Sequence, residues 1–326
     1  MNTDHFIYAL RWLVRDTFRQ ALAGRVFWIM LGASALCIVF CLGVSVTPGV
    51  VRDENELFNV DGRPAGAGVT PGELRLFFGF MTANIGRDAE DAVHGLEVIF
   101  ASWVAGTVGL LLTLVWTASF LPEFLQPNSA TVLLAKPLPR GVFLLGKVLG
   151  VVAFVAMQAL VFFLGTWVAL GVRTGVWHTH YLAGWPILVL QFAVFYTFSA
   201  LIAATWRSAV ACVLGVILFW ALCMGVNYGR YVVLSLPHIA PETRRLSSVT
   251  SAMAETGYWL LPKPADDLLL LEEALDAGAV MGTIRSLPEI APSLAHFHPW
   301  LSLASSLAFA GVMILLGGAQ LAKLEY

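Results

Sequence analysis

An all-α membrane protein with six transmembrane helices is the fold class that three observations predict. Of 326 residues, 58% are hydrophobic and only 12% are charged, whereas soluble domains carry roughly 45–50% apolar residues and about 25% charged ones. The mean hydropathy of +0.78 points the same way. Six apolar runs are each long enough to cross a bilayer, whose hydrocarbon core of about 30 Å takes roughly 20 helical residues. A backbone in hydrocarbon must satisfy its own N–H and C=O groups, so such runs read as helices. They occupy residues 26–47, 98–121, 142–170, 186–206, 209–228 and 300–320.

Residues 1–25 precede the first run. Phe6, Leu10, Leu13 and Leu22 give them an apolar side, and Arg11, Arg15 and Arg19 recur every four residues. This is the pattern of an amphipathic helix lying in the inner membrane interface. The run from Val26 is too long for the core of a signal peptide and lacks a small-residue cleavage site after it, so it reads as a retained first span. Residues 48–97, rich in Gly, Pro and acids, form a first extracytoplasmic insertion, and residues 229–299 form a second. Residues 122–141 make a short loop between the second and third spans. Only Arg207 and Ser208 separate the fourth span from the fifth, which makes the two antiparallel neighbours. There is no internal repeat.

Charge sets the orientation, because cytoplasmic segments retain Lys and Arg. With the N terminus inside, the inner segments hold Arg11, Arg15, Arg19, Arg25, Lys136, Arg140, Lys147, Arg207 and Lys323 against Asp4, Asp16, Glu123 and Glu325. The outer segments then carry an excess of acid. Both termini are therefore expected in the cytoplasm, with the chain in a bacterial inner membrane. A net charge of −2 with no basic tail excludes nucleic acid as a partner. Cys37, Cys41, Cys212 and Cys223 all fall inside apolar runs, where a thiol acts as a small hydrophobe, so no disulfide framework is expected.

Groups able to do chemistry are sparse. No ionisable residue lies in the middle of a run, where such groups mark ion and proton pathways. Gln158, Gln191 and Asn227 are the polar exceptions, and amides of this kind join helices by hydrogen bonds. Gly141 to Val148 has the glycine and lysine spacing of a nucleotide loop, but Val148 replaces the magnesium-ligating hydroxyl and a membrane helix follows. No cofactor is expected in this chain. Two His-x-His pairs, His178/His180 and His296/His298, offer imidazoles suited to zinc or copper. Beside Trp177, Tyr181 and Trp300 they read first as residues of the membrane interface, and no metal is expected. Asp266-Asp267 and Glu272-Glu273 flank Leu268 to Leu271, and are read as the solvated face of a surface helix.

The loop after the second span carries Glu123, a short run from Ser129 to Ala135 bracketed by Pro127 and Pro137, then Lys136-Pro137, Arg140 and Gly146-Lys147. Proline at the borders and not inside suits a short, stiff helix. In this order of residues the loop resembles that of permeases of type 2 ABC exporters, as does the layout of an inner amphipathic helix followed by six spans. The chain departs from the family pattern at Gln126 and Asn128-Ser129, where a second acid and Gly-Thr are usual. The resemblance implies that Glu123, Leu133, Lys136 and Arg140 belong to a coupling helix that receives a cytoplasmic ABC ATPase. ATP and magnesium would be held by that partner, and the permease would work as a homodimer or heterodimer. The alternative is a membrane scaffold or assembly subunit with no transport of its own. An intramembrane enzyme has no nucleophile and base at a shared depth to support it.

Overall fold

The computed structural model describes residues 3–47, 50–51, 69–70, 72–85, 89–125, 140–239, 248–277 and 297–323. Among these, five helical rods are long and apolar enough to cross a membrane: 90–123, 141–174, 179–206, 209–235 and 299–322. This is the build of a multi-pass membrane protein. A sixth candidate is a pair of helices bent by 71°. These are α1, Thr3–Ala23, and α2, Arg25–Leu42, which meet at Gly24.

The first expected span, 26–47, is shorter as a helix. α2 stops at Leu42 because Gly43 turns the chain: its N–H still bonds the carbonyls of Val39 and Phe40, while its own carbonyl accepts the N–H of Phe78 at 2.8 Å. Ser45–Thr47 then becomes strand β1. With Val50–Val51 (β2), Val69–Thr70 (β3), Gly72–Leu76 (β4) and Met81–Ile85 (β5), the first insertion holds antiparallel β structure in an otherwise helical chain. The strand order is β1-β4-β5, with Val46 opposite Leu74 and Leu74 opposite Ala83, and β2 pairs with β3. Alternating β-branched and aliphatic residues such as Val46, Thr47, Leu74 and Leu76 suit a half-buried pleat.

The second rod begins earlier than the expected 98–121. Helix α3, Ala89–Ile99, runs into a π-helical segment, Phe100–Gly109, and on into α4, Leu110–Thr117. A turn at Ala118 and Ser119 precedes the short α5, Phe120–Phe124. α6, Arg140–Thr174, is the longest helix described and the spine of the bundle, touching α1, α2, α7 (Gly184–Trp206) and α11 (Pro299–Ala322). Arg207 adopts a left-handed φ of 50° at the end of α7. Ser208 then offers its hydroxyl to the N–H of Ala211 at 3.4 Å, starting α8, Ala209–Ile239. A turn this tight lays α8 against α7.

After α8 come α9, Ser248–Leu260, and α10, Pro264–Ala274. Here the surface-helix expectation is overturned. α10 is wedged among α7, α8, α11 and the π segment, with Leu269 and Leu271 buried. Gly184 makes room for it, since a Cβ there would lie 2.5 Å from Phe163 and 3.4 Å from Leu271. Asp266, Asp267 and Glu272 are buried with the leucines, and only Glu273 of the four acids is exposed. Leucines at four successive positions point to most sides of the helix, so neighbours cover it on several sides.

Candidate functional site

Three groups of polar residues stand out from the apolar bundle. The first lies where α1 crosses the start of α6. Leu13, Thr17 and Ala21, spaced four apart, form the buried stripe of α1, and Arg11, Arg15 and Arg19 are exposed on its other side. Leu22, expected on the apolar side, is 45% exposed. Thr17 belongs in its place, with its hydroxyl returned to the carbonyl of Leu13 at 2.9 Å.

Close approach is possible because α6 presents glycine. A Cβ on Gly146 would lie 2.5 Å from Leu13, and one on Gly150 would lie 2.6 Å from Thr17. Small residues are how helices meet where lipid removes the hydrophobic incentive to associate. Beside them Lys147, 2% exposed, donates to Gln20 Oε1 at 2.7 Å and pairs with Asp16 at 3.2 Å. A buried ammonium is costly unless paired, so this contact fixes both position and register. The Gly146-Lys147 pair of the loop motif is thus the joint between α1 and α6.

Glu123 is exposed near the end of α5 and lines a cavity of about 430 Å3 with Gln20, Ala23, Gly24, Ser119 and Phe120. It therefore sits at the α1–α2 elbow. Arg140 is the first residue of α6. Leu133 and Lys136 lie outside the described residues, as does the expected short helix at 129–135. Hence the structure brings Glu123 to the elbow, and Lys147, which was not singled out as a site residue, to the underside of α1.

The histidines form the second group. His178 Nδ1 meets Glu97 Oε2 at 2.9 Å, and its Nε2 lies 3.4 Å from Glu90. His94 stacks at 5.1 Å between ring centres and hydrogen-bonds the carbonyl of Leu275 at 2.6 Å. His180 joins His94, Glu97 and Asp276 around a cavity of about 160 Å3. His298 occupies the position before α11 without a side-chain capping bond and is not in that cavity's wall, and His296 lies outside the described residues. Among the described residues no three His, Cys, Asp or Glu side chains are placed to hold a metal ion. Both nitrogens of His178 face carboxylates, so it acts as a clasp between α3 and the segment after α6.

The third group, around α10, was read from the sequence as solvated acids. Asp266 accepts hydrogen bonds from Tyr231 at 2.5 Å, Tyr258 at 2.6 Å and Ser302 at 2.6 Å, joining α8, α9, α10 and α11. Lys263 donates to Ser305 of α11. Arg230 makes a two-pronged pair with Glu255 at 2.6 and 3.0 Å, and its guanidinium lies 3.8 Å from the centre of the Tyr258 ring. Burial lowers the Lys263 ammonium pKa against the opposing pull of Asp266 and Asp267. Burial and the neighbouring Asp266 push Asp267 up to about 8. The network fastens the α9–α10 hairpin to the bundle. The Gln158 amide meets the hydroxyl of Ser34 at 3.4 Å and so links α6 to α2. Comparison with models of protein families and with curated proteins gives no match for this chain.

Proposed function

We propose that this chain is the membrane-spanning permease subunit of an ATP-driven exporter of the type 2 ABC class. In this reading it has six spans, with the bent α1–α2 pair supplying an interface helix and the first span. Both termini face the cytoplasm of a bacterium, β1–β5 and the α9–α10 hairpin stand outside, and two permeases assemble with cytoplasmic ATPases that hold ATP and magnesium.

The observation that carries the reading is the α1–α6 joint. An exporter of this kind must convert the closure of a docked ATPase into movement of spans, which needs a stiff connection from the docking loop to more than one helix. The loop runs from α5, where Glu123 abuts the elbow, to Arg140 at the start of α6. Seven residues into that helix, Lys147 ties it to Asp16 and Gln20 of α1. A push on the loop therefore moves α1 and α6 as one lever. The chain has no nucleotide loop with a metal-ligating hydroxyl, so the energy comes from a separate subunit.

The test is co-purification with a co-expressed ABC ATPase from the same genome. Wild-type permease retains the ATPase, Glu123→Lys and Leu133→Asp lose it, and Arg173→Glu at the far end of α6 keeps it. Retention by both loop variants transfers the weight to the scaffold reading.

A further inference from the structure

A cavity of about 240 Å3 lies between α2, the π segment, α4, α6 and α7. Its back wall is Val155, Gln158 and Ala159 of α6 with Phe192 of α7, all at most 6% exposed. Leu36 of α2 at 73% exposure, Val108 of the π segment at 52% and Leu112 of α4 at 41% form its mouth. α2 leans on α6, whereas α4 leans on α7 and α8, and the slot opens between the two. Phe162 of the lining packs against Phe100, and Phe100 against Phe40, with ring centres 6.4 and 5.7 Å apart. The exposed lining residues Leu36, Val108 and Leu112 stand along the flanks of their helical rods and not at the rod ends. The way in is therefore sideways, from the lipid.

The lining says what enters. Two of its polar groups are already engaged, the Thr113 hydroxyl with the Gly109 carbonyl at 2.6 Å and the Gln158 amide with Ser34. An apolar cavity of roughly 150 Å3 inside a protein stays dry and takes up benzene, and this one is larger. Val104, Ala105, Val108 and Gly109 of the wall all come from the π segment, whose wide turn is a rare geometry that recurs at functional sites. We infer that this cavity binds one acyl chain of a membrane lipid, admitted between α2 and α4. The inference shares with the exporter reading only the placement of these helices in a bilayer, and its test involves no ATPase.

Full-length protein in nanodiscs containing phosphatidylcholine with a photoreactive diazirine at the acyl terminus is irradiated, and the labelled peptides are mapped. Label is expected on Gln158 and Ala159 in the back wall as well as on Leu218, which is 68% exposed on α8. Ala159→Phe fills the cavity and Val108→Trp blocks its mouth. Each should reduce wall labelling severalfold and leave Leu218 unchanged. Val108 is on the surface, so that variant reports even if Ala159→Phe does not fold. A wall that stays unlabelled while Leu218 reacts, or wall labelling unaffected by Val108→Trp, overturns the inference.

Discussion

Three hydroxyls converge on the Asp266 carboxylate from three different helices. Removing it strands Tyr231, Tyr258 and Ser302 without their acceptor and leaves Lys263 beside a lost counter-charge. Buried donors left unmet cost about 1–3 kcal/mol each and are not additive. Asp266→Ala is therefore expected to destabilise the protein by on the order of 3 kcal/mol, seen as a lower Tm in detergent. Glu273→Ala, on the exposed side of the same helix, should leave Tm nearly unchanged. Asp267 works in the opposite sense. Its folded pKa rises from 3.8 to about 8, so between those values the folded state holds a proton that the unfolded state has released. Its contribution to stability thus falls as pH rises through that window and levels off above it. Asp267→Asn should remove this part of the slope, so that the Tm difference between variant and wild type grows in the variant's favour from pH 4 to pH 8, values set by that shift. A constant difference would contradict the buried-acid account. None of this was legible in Asp266-Asp267 alone, because paired acids are ordinarily solvated. The readable signal was Leu268 to Leu271, four leucines in a row that point to more sides of the helix than one solvated face allows.

At the scale of elements, Gly146 and Gly150 let α1 lie against α6, and Lys147 fixes its register. Gly150→Leu drives side-chain atoms into Thr17, so α1 must lift. Hydrogen exchange across residues 11–23 should accelerate while the far half of α6 keeps its protection. Unchanged protection of α1 would mean that the glycine stripe does not hold it. The long helices were legible because hydropathy alone demands them, and the turn at Arg207 because two residues allow no other course. The end of α2 was not, since Val44 and Val46 extend the apolar run past Leu42 and only pairing with Glu73 to Arg75 makes the segment a strand. Nor was the π segment legible, as its wide turn leaves no distinctive spacing in Phe100 to Gly109. The two histidine pairs looked alike in sequence, yet His178 is clasped by Glu97 and Glu90 from a distant helix while His298 stands at the start of α11. Sequence neighbours say nothing of such partners.

Taken whole, the molecule is fastened differently at its two ends. At the α1 end, a single buried lysine and two glycines join two helices, with Glu123 exposed at the elbow beside them. At the other, Asp266, Arg230, Lys263 and their partners lock four helices together. The most direct measurement of the proposed exporter role is ATP hydrolysis by a co-expressed ABC ATPase reconstituted with this chain in liposomes. Coupling through the joint predicts that Lys147→Met, which removes the polar tie between α6 and α1 and leaves the docking loop and the glycine contacts in place, keeps the ATPase bound but lowers hydrolysis towards the rate of the ATPase alone. Arg173→Glu should match wild type. Wild-type hydrolysis with Lys147→Met would contradict the joint as the path of force.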